Sequence, residues 1–482
     1  ENCFWTERHS EGFLMVRVVR QVSRLSVPRA VFSQLRAHSG PVAELSRLKS
    51  GTPKQIVARV SSEVAQQLSG QWATLTHEDI LQIVGSLARL AHVHPPLLEL
   101  VVKHVLRGTR SYPPYALCNV VNAFARLKYD HEVLMSTVAS HFADSERAAL
   151  LAPIDVSCLV FAYAELRKRR GDLLETLAER LSSLDVSGPD CAIILNSYSR
   201  LDECNPNLFK ALSRCVIRTQ SENFDQLHQI SLIMNAFAKC KVRKPQMMQI
   251  LGRHLYSRVD ELTPQNVTNI VNAFARLNCY DRKLFVLLQT KLVKEPLRGY
   301  KVLELANLVH GLAKLGSGGP KLYAALFAEC ESRLDWDPRS VAQVLDTLRR
   351  RGLRHETLLL VLVNTLLRDL DTYEVHPLTQ VLWCFVELDA LELASRTTLP
   401  ASEDESAARC LMRLGLERMA TLQTRQPLSP TQQCYVQQMV RAYHYRYEMD
   451  YNLQPHHVKE FCSTLFDLPT SVTSSIVRSS RP

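Results

Sequence analysis

The sequence predicts an all-α fold, a right-handed α-solenoid of nine to ten helix–turn–helix repeats of about 37 residues each. Three observations predict it. One octapeptide recurs along the chain, prolines fall at set distances from it, and both halves of each repeat show apolar residues at helical spacing.

The octapeptide reads IVGSLARL at 83–90, VVNAFARL at 120–127, LVFAYAEL at 159–166, ILNSYSRL at 194–201 and IMNAFAKC at 233–240. It continues as IVNAFARL at 270–277, LVHGLAKL at 308–315, VLDTLRRR at 344–351 and VLWCFVEL at 381–388. Successive starts lie 35 to 39 residues apart. A period this steady marks stacked units, none of which can bury its apolar faces alone. Proline precedes the octapeptide by four to seven positions at Pro113, Pro114, Pro153, Pro189, Pro264, Pro338 and Pro377. It recurs twelve positions after the octapeptide start at Pro95, Pro206, Pro245 and Pro320. Both places suit the first turn of a helix, where a missing N–H costs nothing. Each repeat is therefore a helix A that contains the octapeptide, a turn, a helix B and a second turn. Helix A is apolar at octapeptide positions 1, 2, 4, 5, 6 and 8, so neighbours must cover most of its circumference. Small residues such as Ala123, Ala236 and Ala273 let those neighbours approach closely.

The flanking segments differ in composition. From Gly12 to Ala43 there is no Asp or Glu, while Arg17, Arg20, Arg24, Arg29 and Arg36 recur among Val, Leu, Ser and Phe. Residues 1–43 thus have the composition of an organelle-targeting segment, with Met15 near its head, or of a basic first helix. Residues 44–74 are expected to form N-terminal cap helices ahead of the array at 75–390. Residues 391–406 read as a polar insertion, residues 407–470 as a degenerate repeat with cap helices, and residues 471–482 as a flexible tail.

Composition narrows the function classes. Hydrophobic residues make up 46% of the chain, enough for a core, yet no apolar run approaches the roughly 18 residues a membrane span needs. The thirteen cysteines are scattered singly with no C-x-x-C pair, which reads as reduced thiols, and no metal site is expected. There is no Walker loop, dinucleotide fingerprint, nucleophile elbow or H-E-x-x-H, so the expectation is a non-enzyme with no cofactor and no small-molecule substrate. Lys plus Arg exceed Asp plus Glu to give a net charge of +10, which favours a polyanionic partner. Removing the six arginines and three acids of residues 1–43 leaves the remainder basic.

Within helix A, positions 3 and 7 are the regularly polar ones; they lie four residues apart and share a face. Position 7 reads Arg89, Arg126, Glu165, Arg200, Lys239, Arg276, Lys314, Arg350 and Glu387. Position 3 includes Asn122, Asn196, Asn235, Asn272, His310 and Asp346, with Phe161 and Trp383 as aromatic exceptions. The preceding position adds Gln82, Asn119, Asn269, Asn307, Gln343 and Gln380. Equivalent residues of stacked helices recur roughly every 10 Å, so these side chains form a cationic strip edged with amides. Such a strip suits single-stranded or ribosomal RNA, with Arg and Lys on phosphates and Asn or His on base edges. The expected RNA contacts are Arg89, Asn122, Arg126, Asn196, Arg200, Asn235, Lys239, Asn272, Arg276, His310, Lys314 and Arg350. The competing reading gives these residues structural work: arginines at helix C-termini and amides that satisfy loop backbone. Three further groups stand out: the basic turn Arg167 to Arg170, the run Arg349 to Arg351, and the cluster Tyr443, Tyr445, Arg446, Tyr447 and Tyr451.

Through Asn-Ala-Phe-Ala-Arg-Leu at 122–127 and 272–277 and Asn-Ala-Phe-Ala-Lys at 235–239, the chain resembles the octotricopeptide and heptatricopeptide repeat proteins of organelles. These are related to RAP-domain and FAST-kinase-like proteins. The resemblance spans roughly residues 75 to 390. It implies organelle RNA work in the mitochondrial matrix or a plastid: transcript stabilisation or processing, or holding fragmented ribosomal RNA within a mitochondrial ribosome among neighbouring proteins. Many relatives end in a RAP domain with a nuclease-like βαβ pattern. After residue 410 this chain shows no such pattern.

Overall fold

The computed structural model describes residues 41–220, 223–224, 226–396, 407–424, 427–447 and 456–466. Residues 1–40 of the segment expected to be organelle-targeting or a basic first helix, residues 397–406 of the expected insertion and residues 471–482 lie outside them, as do the side chains of the tyrosine cluster at 443–451. Among the described residues every regular element is helical, and helical hairpins stack as in an α-solenoid. The chain divides into two compact units, residues 1–251 and 252–482.

In the first unit the A helices are His77–Leu90, Pro114–Arg126, Pro153–Glu165, Gly188–Arg200 and Leu227–Lys239, and each packs on the next. The B helices Pro95–Gly108, Glu132–Phe142, Gly171–Ser182 and Pro206–Arg218 form a second row, followed by Pro245–Leu255, in which the unit boundary falls. Helices Pro41–Arg47 and Lys54–Leu68 pack ahead of the first repeat. In the second unit the A row is Pro264–Arg276, Val302–Lys314, Pro338–Arg351 and Val375–Glu387, extended by Pro430–Tyr447. Its B helices are Arg282–Lys294, Pro320–Glu331 and Glu356–Asp369, then Ala407–Gln423 and His456–Phe466. Leu391–Arg396, expected to open a polar insertion, is a 3₁₀ turn with Leu391, Leu393 and Ala394 buried, so its apolar side chains join the core.

The octapeptide explains the packing. Its fifth position is a large apolar or aromatic residue, and Phe124, Phe237, Phe274 and Phe385 are fully buried there. Burying each such ring stabilises the stack by about 2–3 kcal/mol. Tyr163 and Tyr198 take the same place and donate their hydroxyls to the carbonyls of Met135 (2.6 Å) and Leu174 (2.7 Å), which satisfies the buried oxygen. The fourth position is small because the preceding A helix comes close. At Gly311 an added Cβ would lie 2.8 Å from Val271 Cγ1.

Helix A ends identically in all nine repeats. The residue after the octapeptide adopts the left-handed conformation, with φ between 49° and 62° at Ala91, Lys128, Arg167, Asp202, Lys241, Asn278, Gly316, Gly352 and Asp389. The next N–H then bonds the fifth octapeptide carbonyl at 2.8–3.0 Å, as in Tyr129 to Phe124 and Val242 to Phe237. This Schellman closure satisfies the orphan carbonyls and turns the chain sharply into helix B.

Helix B carries a structural row of its own. Arg180, Lys291, Arg333, Arg368 and Arg418 donate to carbonyls of the loop that enters their own repeat's helix A, at Leu151, Asp260, Arg298 and Tyr300, Leu334, and Asp371 respectively. Part of the chain's basic excess is therefore spent on backbone. Lys291 is only 3% exposed and also pairs with Glu295 at 2.5 Å.

The cysteine expectation needs correction at one place. Cys204 and Cys240 form a disulfide with Cα atoms 5.3 Å apart. They are 36 residues apart, one repeat, and stacking brings the A–B turns of the fourth and fifth repeats side by side. Local spacing gives no hint of such a pair. The other described cysteines are free and buried.

Candidate nucleic-acid interface

The Schellman turn fixes where helix A stops, so the seventh octapeptide position always sits in its last turn, beside the turns of adjacent repeats. The third position and the residue before the octapeptide lie one and two turns earlier on the same face, and most are half-buried.

In the first unit these side chains are largely engaged by the protein. Arg89 donates to the carbonyls of Leu48 and of Ser46 (2.9 Å), closing the C-terminus of helix Pro41–Arg47. Glu165, whose side chain is 8% exposed, pairs with Arg200 at 3.3 Å. Asp202, in the left-handed turn position, lies 3.4 Å from Lys239. Arg126 is the exception. It has no hydrogen bond or ion pair among the described residues, its Nε is buried, and burial pulls its pKa down. One turn away Asn122 is 3% exposed, and its Oδ1 has no partner. Asn196 and Asn235 are half-buried on the same face. Phe161 is 6% exposed, packed inward by the third repeat, so it is not available to stack on a base.

The second unit arranges the same positions differently. Arg276, Lys314 and Arg350 are exposed. Burial, and then the charges of Arg350 and Arg276, depress the Lys314 ammonium below its ordinary pKa, so three cations of successive repeats share one field. Lys314 has no hydrogen bond or ion pair among the described residues. Asp346 is 4% exposed and accepts from Arg349 at 2.7 Å and from Arg350. Its burial alone would raise the carboxyl, but these arginines outweigh it and hold the pKa below the usual value. His310 Nδ1 lies 3.5 Å from Asp346, beyond a good hydrogen bond, and burial lowers its pKa. Asn272 is half-buried. At the preceding position Gln343 donates to Asn307 at 3.0 Å, and Asn307 donates to the Leu303 carbonyl at 2.8 Å. That amide pair works between repeats rather than toward solvent. Trp383, half-buried, has its ring centroid 6.4 Å from that of Tyr435.

Two of the other basic groups are internal. Lys168 binds Asp130 (2.9 Å) and Glu132, Arg169 binds Glu203 at 2.6 Å, and Arg170 binds Glu132, so this turn ties three repeats together. Arg351 lies over the Tyr323 ring at 4.9 Å. Sequence reasoning missed Asp202 as a partner of the strip and the carbonyl-binding row of helix B. The repeat period itself could have paired them, since Asp202 lies 37 residues before Lys239. Among the described residues no cluster of three metal-binding side chains exists, and no helix is long and apolar enough to cross a membrane.

Fold and site together define a helical-repeat protein whose A helices carry a row of cations. The chain matches the model of the RNA-editing substrate-binding complex 6 protein family (RESC6) over residues 54–320, more than half its length, and it belongs to that family. By its description the family is named for a complex that binds the substrates of RNA editing. This bears out the broader expectation of an RNA-associated helical-repeat family, and not the narrower octotricopeptide kinship. No curated protein matches the chain. A structure described as a homology model of the full-length AP-3 complex in an intermediate open conformation is 12% identical over 95% of this chain and 93% of its own. Its TM-score of 0.30 carries no argument.

Proposed function

We propose that the chain is a non-catalytic RNA-binding subunit of an organelle ribonucleoprotein and holds single-stranded RNA along its A helices. The observation that carries this reading is the row Arg276, Lys314 and Arg350, where cations of consecutive repeats depress the central ammonium. A protein gains nothing from such an arrangement alone. A phosphate backbone relieves it.

The family's name supports a complex that handles RNA substrates. The octotricopeptide-like motif supports a mitochondrial matrix setting, with a plastid as the alternative, and a mitochondrial ribosome holding ribosomal RNA is the finer form of the same proposal. The test is equilibrium binding of the purified chain to single-stranded RNA across a salt series. Each phosphate contact on a single strand contributes about 0.7 to the logarithmic salt slope. Replacing Arg126, Arg200, Arg276 and Lys314 together by Gln is expected to flatten the slope by about 2 or more. An unchanged slope sinks the reading. Identifying the RNA that co-purifies with the native complex decides between ribosomal and edited transcripts.

A further inference from the structure

We propose that the outward face of the B helices in the sixth to eighth repeats is a docking surface for an acidic amphipathic α-helix of a partner protein. Helices Arg282–Lys294, Pro320–Glu331 and Glu356–Asp369 pack side by side in that order. On the first, Val286 and Val293 are 53% and 55% exposed and seven residues apart, hence on one face. On the second, Ala324 and Ala328 are exposed and lie four residues apart. On the third, Leu360 and Leu367 are partly exposed at the same heptad spacing. The alanines make a shallow trough between a valine ridge and a leucine ridge. A helix laid there can set its own apolar ridge against the trough.

The strip is not a general property of the repeat. In the first unit the exposed residues at the same level are Asp172, Glu175 and Glu179 on one B helix and Lys210, Arg214 and Arg218 on the next.

Charge around the strip selects the partner. The acids there are already satisfied: Glu295 by Lys291 at 2.5 Å, Glu329 by Arg333 at 2.6 Å, Glu331 by His355 at 2.9 Å and Asp369 by Arg368 at 2.6 Å. Arg282, Lys283, Lys294 and Lys321 are exposed, and among the described residues none has a carboxylate partner. The uncompensated charge of the rim is therefore positive, while its centre is apolar. A nucleic acid would set charged phosphates on Val and Leu and find no aromatic ring on the strip to stack upon. An apolar helix flanked by Asp and Glu fits both parts. The trough follows helix Pro320–Glu331, which has 12 residues, so it extends roughly 18 Å and a partner helix of about the same length covers it.

The experiment uses the full chain in its native complex, with Ala328 replaced by a photoreactive benzoylphenylalanine. The expected result is one protein adduct whose cross-linked peptide lies in a helix flanked by acids. An adduct to RNA, to a basic or non-helical segment, or no adduct overturns the proposal. In parallel, Ala324→Glu with Ala328→Glu, and separately Lys283→Glu with Lys294→Glu, are expected to weaken retention of the cross-linked partner about tenfold or more. Circular dichroism and the salt slope for RNA should match the parent chain. Ala328→Ser, which keeps the trough, should retain the partner. Full retention by both charge-bearing variants overturns the proposal.

Discussion

The first and second units place a cation at the same octapeptide position yet treat it differently. In the first, Arg89 closes a helix, Glu165 holds Arg200 and Asp202 faces Lys239. In the second, Arg276, Lys314 and Arg350 crowd one another, and the buried carboxylate of Asp346 accepts from Arg350. The lesson is that whether a repeat's basic residue is open to a ligand depends on whether a nearby carboxylate reaches it, as Glu165 reaches Arg200 and Asp202 approaches Lys239. On this comparison the second unit is expected to be the stronger anion site, with Arg126 as the candidate contact of the first.

The largest expected effect concerns the first unit alone. Reducing Cys204–Cys240 removes the closure of a loop of 36 residues, which chain entropy values at about 3–4 kcal/mol. Hydrogen exchange with and without reductant should show loosening confined to the fourth and fifth repeats; uniform loosening would erase the distinction between the units.

Asp346→Asn comes next. It leaves Arg349, Arg350 and His310 without their carboxylate and is expected to destabilise by about 2–3 kcal/mol while tightening RNA binding. The pH dependence follows in sign. The folded carboxyl titrates below its unfolded value, so its stabilisation is present above the ordinary carboxylate pKa and is lost as pH falls through the lower folded one. Acid denaturation of the variant should lack that limb.

Glu165→Gln makes the first unit more like the second by removing the carboxylate that Arg200 meets. We expect a loss of about 1–2 kcal/mol and a steeper salt slope for RNA. An unaltered slope would mean that Arg200 does not face the ligand. For Lys314 stability again rises with pH, but from the relief of a penalty rather than the gain of a favourable charge. Its depressed pKa means that folding disfavours the charged form, a penalty felt below the folded pKa and relieved as pH rises through it. Bound RNA should move that pKa upward, readable by NMR of ¹³C-methylated lysine, and a stationary signal would argue against phosphate contact.

The smallest effect tests the shared turn. Lys128→Gly removes a side chain from the left-handed region and should stabilise by about 0.5–1 kcal/mol, whereas Gly316→Ala should cost about 1 kcal/mol. Chemical denaturation of both variants checks the pair.

Much of the fold was legible because the octapeptide and the prolines are local signals. Pro95, Pro114, Pro153, Pro206, Pro245, Pro264, Pro320 and Pro338 each occupy the first residue of a helix. The turn was harder to read. Only Gly316 and Gly352 announce a left-handed residue, while Ala91, Lys128, Arg167 and Lys241 adopt it because the stacked helices on either side require the sharp turn. The site was legible as a row but not in its details. Which cation is free depends on acids one repeat away, such as Glu165 for Arg200, and composition at a single position cannot reveal that. Asn122 and Asn307 are both amides on the polar face of helix A but differ in role, since of the two Asn307 meets an amide from the next repeat.

The Cys204–Cys240 bond has a consequence for cooperativity. In a stack where each repeat touches only its neighbours, folding behaves as a one-dimensional chain of weakly coupled links, and any repeat can open with modest cost to the rest. A covalent tie between two consecutive turns merges those links. The fourth and fifth repeats then open and close as a single block of double length, and the chain unzips around that block.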